Sequence, residues 1–255
     1  MSDRLTLIAL DGIPLVQPGD DLSSLIAEAL ARLGETLVDG DILVVAQKIV
    51  SKSENRLVDI ADVTPSARAE TLAKSVDKDP RVVEVILQES RAVIREKPGV
   101  LIVENNLGLI MANAGIDHSN VESDGPDETL LLLPLDPDAS AETLRHNLND
   151  RFGADIGIVV NDSVGRAWRI GTMGLAIGIA GLPAVVDLRG EKDLFGRELR
   201  VSEEAVADEL AAAASLLQGQ GAEGKPVVLI RGFSSSADPQ PASAALRPAD
   251  MDMFR

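Results

Sequence analysis

The sequence has 255 residues, 45% hydrophobic and 25% charged, with a formal net charge of −17. That length accommodates one large domain or two modest ones with a real core, and the acidity excludes a binder of nucleic acid or anionic membrane that works through surface charge. Cysteine is absent, which excludes disulfides, thiolate nucleophiles and Cys-type zinc sites, and aromatics at 2% leave no stacking platform for single strands.

The first residues, MSDRLTLIALDG, lack a basic segment followed by an apolar one, and no apolar run reaches the length of a membrane span. A cytoplasmic protein with no membrane partner is expected. Leu5 to Leu10 reads as a strand, followed by the Pro/Gly-rich loop Asp11 to Asp20. Asp20 or Asp21 caps a helix with apolar positions Leu22, Leu25, Ile26, Ala29 and Leu30, and Gly34 can end it. Ile42 to Ala46 is a buried-type strand, and the polar stretch Gln47 to Glu54 follows it. Thr64-Pro65 and Asp79-Pro80 each open a helix.

Strands return at Val100 to Val103, Leu107 to Met111 and Leu130 to Leu133, then a helix runs to about Phe152. Ile156 to Val160 is an apolar strand ending in Asn161-Asp162-Ser163. Gly171, Gly174, Gly178 and Gly181 stand among small apolar residues, as close backbone packing or a ligand approach requires. Val201 to Leu217 is an Ala-rich helix and Val227 to Ile230 a last strand. Strands and helices do not alternate regularly, so the expected class is α+β, with mixed sheets, helices and two intertwined subdomains. Residues 1–233 form the expected functional unit, with no legible internal boundary. Residues 234–255 read as a flexible linker and tail.

Five segments are chemically interesting. Asp117 and Asp162 each follow a strand and sit in turns rich in Gly, Asn and Ser. Hard oxygen ligands in such places suit Mg²⁺ or Mn²⁺, with the Ser163 hydroxyl as a further oxygen, yet turn capping explains both aspartates equally simply. Gln47 to Lys52 holds Lys48 and Lys52, either phosphate contacts or a solvated loop; it is not a Walker A motif. Arg166 and Arg169 flank the single Trp, Trp168, and could clamp a phosphate or carboxylate. The stretch Asp187 to Glu198 is charge-dense and glycine-punctuated, and Gln218 to Gly224 is either a nucleotide loop or a helix cap. His118 and His146 show no metal spacing, and no G-x-S-x-G elbow is present.

Taken in order, these segments resemble the F420-0:γ-glutamyl ligase family along essentially the whole chain. The resemblance rests on Gly12-Ile13-Pro14, Gly19-Asp20-Asp21-Leu22, Asp39-Gly40-Asp41, Val45 to Lys52 and Thr64-Pro65-Ser66. It continues through Asn113 to Asp117 with Ser119-Asn120, Asp136-Pro137-Asp138, Asp162-Ser163 with Gly165-Arg166 and Trp168-Arg169, Gly196-Arg197-Glu198-Leu199, and the closing Asp252-Met253-Phe254-Arg255. It implies an enzyme of coenzyme F420 biosynthesis that uses GTP and Mg²⁺ or Mn²⁺, with K⁺ as an open further ion. F420-0, a deazaflavin, would receive L-glutamate on its phospholactyl carboxylate, then further γ-linked glutamates.

The resemblance assigns metal binding to Asp117, Asp162 and Ser163, where relatives commonly have Thr in place of Ser163. Catalysis falls to Asp117, Asp162, Arg166 and Arg169. Nucleotide contacts fall to Ile13, Pro14, Leu15, Val16, Gln47, Lys48, Lys52, Asn120 and Gly219. It also implies a homodimer. Gln220 departs from the charged residue common at that place. The alternatives are another NTP-dependent carboxylate–amine ligase and a non-catalytic nucleotide- or F420-binding protein.

Overall fold

The computed structural model describes residues 4–118 and 129–253. The first elements are β1 (Thr6–Ala9), α1 (Leu22–Leu33), β2 (Ile42–Ala46) and α2 (Gln47–Ser53). A second group follows: β3 (Leu57–Asp59), α3 (Ala67–Val76), α4 (Pro80–Gln88), β4 (Ser90–Lys97), β5 (Val100–Asn105), β6 (Ile110–Ala112) and β7 (Thr129–Leu131). The chain then forms α5 (Pro137–Phe152), β8 (Gly157–Gly165), β9 (Thr172–Ala180), β10 (Val186–Asp187), β11 (Glu203–Glu204), α6 (Val206–Gln218) and β12 (Val227–Arg231). The class is α+β with mixed sheets.

Local chemistry sets the helix ends. Asp21 caps α1 by accepting the Ser23 N–H, and Gly34 ends it at φ 71°. Asp79 caps α4 with Pro80 in the first turn, and Asp136 caps α5, which ends at Gly153 with φ 65°.

Five strands form the main sheet in the order β1-β12-β2-β8-β9. The strands β2 and β8 run parallel, from Ile42 opposite Gly157 to Ala46 opposite Asn161, while β12 is antiparallel to both of its neighbours. Both faces of this sheet are covered, which is why the Ile42 to Ala46 run shows no polar alternation. On one face Leu43, Val45, Ile158, Val160 and Leu229 meet Ile26 and Leu30 of α1 and Leu144 and Leu148 of α5. On the other, Val44, Val159, Val228 and Ile230 meet Leu210, Ala211 and Ala214 of α6. Gly174 and Gly178 serve this packing: a Cβ on either would strike the Ala211 carbonyl or Pro137.

Between α2 and α5 the chain leaves this sheet and builds a second lobe around its own core. Ala69, Ala73 and Val76 of α3, Val83 and Ile86 of α4, Leu101 and Val103 of β5, and Leu130 of β7 pack together there. The second lobe is thus an insertion into the first.

The structure revises several boundaries. Gln47 to Ser53 is a helix rather than a loop, and Gln47 and Ser51 are buried. Ser66, not Thr64-Pro65, caps α3. The expected turn after Val160 is strand: β8 continues through Asp162 to Gly165, paired with β9. Helix α6 begins at Val206, because residues before it form the short β10–β11 ladder.

In place of an unattached linker, part of the 234–255 segment lies against the body. The Gln240 N–H donates to the Leu182 carbonyl, and its amide oxygen accepts the Val185 N–H. The Ala242 N–H donates to Asp138, which also accepts the Ile179 N–H. A small cavity under this strap is lined by Leu107, Leu109, Leu175, Ala242 and Leu246.

Candidate active site

Where the parallel strands β2 and β8 end, the chain offers polar groups from three directions. Such a crevice, beyond the carboxyl ends of parallel strands, is a common ligand site in sheets covered on both faces. From β2 the chain turns directly into α2, so Gln47 and Lys48 occupy its first turn. From β8 comes Asp162, one residue beyond Asn161, which pairs with Ala46 in the last parallel register. From the second lobe comes Asp117.

Asp117 is held firmly. Its N–H and C=O exchange hydrogen bonds of 2.9 Å with Leu131. Ahead of it, Asn113, Ala114 and Gly115 take left-handed φ values of 51°, 58° and 76°. Ala114 is buried in that conformation, and a Cβ on Gly115 would meet Leu133 and Met111. A backbone outlier of this sort persists only when its surroundings over-determine it, and such strain collects at functional sites.

The side chains interlock. Gln47 Nε2 donates to Asp117 Oδ2 at 2.7 Å, and Ser51 Oγ donates to Gln47 Oε1 at 2.9 Å. Lys48 Nζ stands 3.1 Å from Asp117 Oδ1. Asp162 Oδ1 accepts the Ser163 N–H at 2.8 Å. Asp162 is only 7% exposed. Burial first, and the Asp117 charge second, push its carboxyl up to about 7, against smaller help from the Ser163 N–H, Lys48 and Gln47. The pair is therefore short of positive charge.

A divalent cation fits that shortage: two hard carboxylate oxygens from different lobes converge, and one of them is disfavoured as an anion without a counter-charge. Among the described residues no group of three or more His, Cys, Asp or Glu gathers to hold a metal. Two carboxylates would leave most coordination positions to water and phosphate oxygens, the usual arrangement for Mg²⁺.

Ser163 does not join this pair. Asp162 and Val164 are buried toward the α1/α5 face while Ser163 is exposed, so strand alternation turns its side chain to the α6 side. Asn161 shares that side; its Nδ2 donates to Gln218 Oε1 at 2.6 Å, while its buried Oδ1 has no partner among the described residues. The Gln218 amide also donates to the carbonyls of Val44 and Pro226.

The remaining expected residues are more dispersed. In the loop before α1, Ile13 is half-buried, Pro14 and Leu15 are exposed and Val16 is buried. The Gly19 N–H to Ser53 carbonyl bond, 2.8 Å, ties this loop to α2. Lys52 lies one turn beyond Lys48 on α2, on the same side of the helix. Arg166 and Arg169 are exposed at the tip of the β8–β9 ribbon, with Arg166 Nη1 donating to the Gly171 carbonyl at 3.3 Å. Gly219, at φ 74°, closes α6, and Glu223 accepts the Gly221 N–H at 2.8 Å in the loop after it. His118 is exposed, and Asn120 lies outside the described residues.

Sequence patterns missed the link from Gln47 to Asp117 and the bracing by Ser51. The signal was the four-residue spacing of Gln47 and Ser51, which only a helix makes meaningful.

Comparison with known proteins adds to this geometry. Residues 12–232 match the family model described as F420-0:Gamma-glutamyl ligase. The chain is similar to the coenzyme F420:L-glutamate ligase of Methanothermobacter thermautotrophicus, 44% identical over 256 residues covering 98% of this chain and 99% of that one. The coenzyme F420:L-glutamate ligase of Methanopyrus kandleri is 42% identical, covering 98% of this chain and 99% of its own. That of Archaeoglobus fulgidus is 42% identical over 92% of this chain and 90% of its own.

Proposed function

Because this chain belongs to the F420-0:γ-glutamyl ligase family, we propose that it joins L-glutamate to F420-0 at the expense of GTP. The observation that carries the reading is the convergence of Asp162, Asp117, Gln47 and Lys48 beyond the ends of β2 and β8. A carboxylate and an amine do not condense in water without activation. An oxygen of the phospholactyl carboxylate attacks the γ-phosphorus of GTP, and the bond to the GDP oxygen breaks. The glutamate amine then attacks the acyl carbon, loses a proton and expels phosphate. Repetition on the new γ-carboxylate lengthens the tail.

Asp117 and Asp162 would hold Mg²⁺ or Mn²⁺, which when bound neutralises phosphate charge and aligns the in-line oxygens. Lys48 and Lys52 supply positive charge to phosphate in a chain of net charge −17. Gln47 fixes the Asp117 carboxylate, and Arg166 and Arg169 draw the anionic acceptor. The loops at Ile13 to Val16, Asn120 and Gly219 are assigned to the nucleotide. Ser163 faces away from this pair and is not assigned to the ion, and K⁺ is a further ion of the reading with no residue assigned. A cytoplasmic homodimer completes the reading; Leu194, Phe195 and Val201, 100%, 85% and 84% exposed, support an apolar contact between copies.

The test is mass spectrometry of F420-0 incubated with the protein, L-glutamate, GTP and Mn²⁺ or Mg²⁺. A product heavier by one or more glutamyl units is expected. GTP hydrolysis with some other acid, and no change in F420-0, would instead make the protein a different carboxylate–amine ligase; binding without turnover would make it a non-catalytic binder.

A further inference from the structure

Past Asn161, β8 is paired among the described residues with β9 alone, as a two-stranded ribbon. The ribbon starts at Asp162 and ends in the tip Arg166-Ala167-Trp168-Arg169-Ile170-Gly171. Trp168 is 87% exposed at this tip, and its backbone sits at φ 66°. A bulky aromatic in the left-handed region is an outlier that ordinary hairpin formation does not need.

The charge of the tip is equally unusual. The chain carries 41 acidic residues, yet none falls between Ser163 and Val186, while Arg166 and Arg169 flank Trp168. The β10–β11 segment, also rich in exposed apolar residues, mixes both signs instead, with Arg189 bonded to Asp187 and facing Glu203. The ribbon tip thus presents exposed apolar side chains flanked in sequence by positive charge alone. Arg166 lies four positions beyond Asp162 along the ribbon, a span of about 13 Å.

We propose that the ribbon tip is the subsite for the aromatic end of the acceptor: Trp168 stacks on the planar deazaflavin ring while Arg166 and Arg169 hold its anionic tail. This rests on the ligase reading above. F420-0 is a molecule with a flat ring at one end and the reacting carboxylate at the other, joined through a phosphodiester. A site reading both ends needs a π-face and positive charge set well away from the carboxylates that assemble the chemistry. The ribbon offers both on one element, continuous with Asp162. Binding energy gathered at the remote ring can then position the carboxylate for attack.

Because Trp168 is the only tryptophan in the sequence, its fluorescence reports on the tip alone. Titrating the intact protein with F420-0 is expected to quench it saturably, while L-glutamate alone leaves it unchanged. In steady-state assays, Trp168→Ala is expected to raise KM for F420-0 by about tenfold, the scale of a lost aromatic stacking contact, with KM for GTP and for L-glutamate unchanged. Trp168→Phe, which keeps a ring, restores most of the affinity, and Arg166→Ala with Arg169→Ala raises the same KM. Wild-type protein that glutamylates F420-0 alongside variants with unchanged KM for it would overturn the subsite and leave the ligase reading standing. A change in molar mass by light scattering in Trp168→Ala, with KM for F420-0 unchanged, would make the tip a contact between copies and overturn it too. Wild-type protein inert toward F420-0 would remove the ligase reading and this subsite with it.

Discussion

Two aspartates are buried at opposite ends of the same parallel strand pair, and they have opposite surroundings. Asp41, 1% exposed, precedes β2; Asp162, 7% exposed, lies where β8 leaves the sheet. Asp41 receives two hydrogen bonds from Arg231, at 2.8 and 2.7 Å, and the Val38 N–H at 3.0 Å. Glu35 joins the same guanidinium at 3.0 Å, and the Asp41 bonds hold Arg231 well above its ordinary range. Asp162 accepts one backbone N–H and faces a second carboxylate. Burial therefore does not distinguish these two aspartates; the supply of counter-charge does. A saturated buried pair fixes geometry, whereas a buried carboxylate left short of charge is a standing demand for a cation from outside.

The largest effect that can break this comparison is on turnover. Asp162→Asn keeps the shape and removes the charge, and it is expected to lower kcat by on the order of 10³. Its thermal midpoint should stay level or rise, since a costly buried carboxylate is gone. Wild-type kcat in this variant, measured by glutamylation of F420-0, would take Asp162 out of the chemistry. The mirror change is Arg231→Met, which leaves Asp41 buried without its partner. A loss of about 3–4 kcal/mol of unfolding free energy is expected, read by denaturant titration, with kcat of the folded fraction kept within about twofold. If activity vanished while stability held, the two ends of the strand pair would not be functionally separate.

How far the sequence reveals this contrast depends on the range of the interactions. Asp117 and Asp162 are legible as chemically interesting carboxylates, although Asp162 lies within β8 rather than in a turn after it, and the helix starts at Asp21 and Asp79 are local patterns that held. The Asp41–Arg231 pair spans 190 positions and gave no sequence signal. Gln47 to Ser53 read as loop because it is polar; burial of Gln47 and Ser51 against Asp117 overrides that, a tertiary effect invisible to local propensity. Likewise Asn161 to Gly165 has turn-forming residues, but pairing with β9 makes it strand. For Ser163 that difference decides which face its hydroxyl occupies.

A smaller effect sharpens the comparison through pH. Folded protein holds a proton on Asp162 up to about pH 7, whereas the unfolded chain releases it near 3.8. Between those values the native state binds more protons, so stability from this group is present at low pH and is lost as pH rises through about 7. In cation-free buffer, wild-type protein should lose about 2–3 kcal/mol relative to Asp162→Asn between about pH 5 and 8. Mn²⁺ at the upper pH should raise the wild-type thermal midpoint and leave that of the variant unchanged. Parallel pH profiles for the two proteins would mean that Asp162 is ionised throughout and already has its counter-charge.

The smallest expected effect concerns the one neutral device in the site. Gln47 presents its N–H₂ to Asp117 because its oxygen is occupied by Ser51 Oγ at 2.9 Å, and Ser51 is fully buried. Ser51→Ala removes the donor that fixes the orientation of the amide. Stability should fall by about 1 kcal/mol. Turnover should fall only a few-fold, since Lys48 still reaches Asp117 at 3.1 Å. Asp41 has no equivalent vulnerability: its partners are a guanidinium and a backbone N–H, neither of which can present the wrong end. The Asp117 carboxylate is thus held by an amide dipole that can reverse and by a single ammonium, a softer arrangement than the Asp41 pair. If Ser51→Ala cost as much turnover as Asp162→Asn, Gln47 would itself have to touch substrate, and the softness ascribed to this end of the strand pair would be wrong.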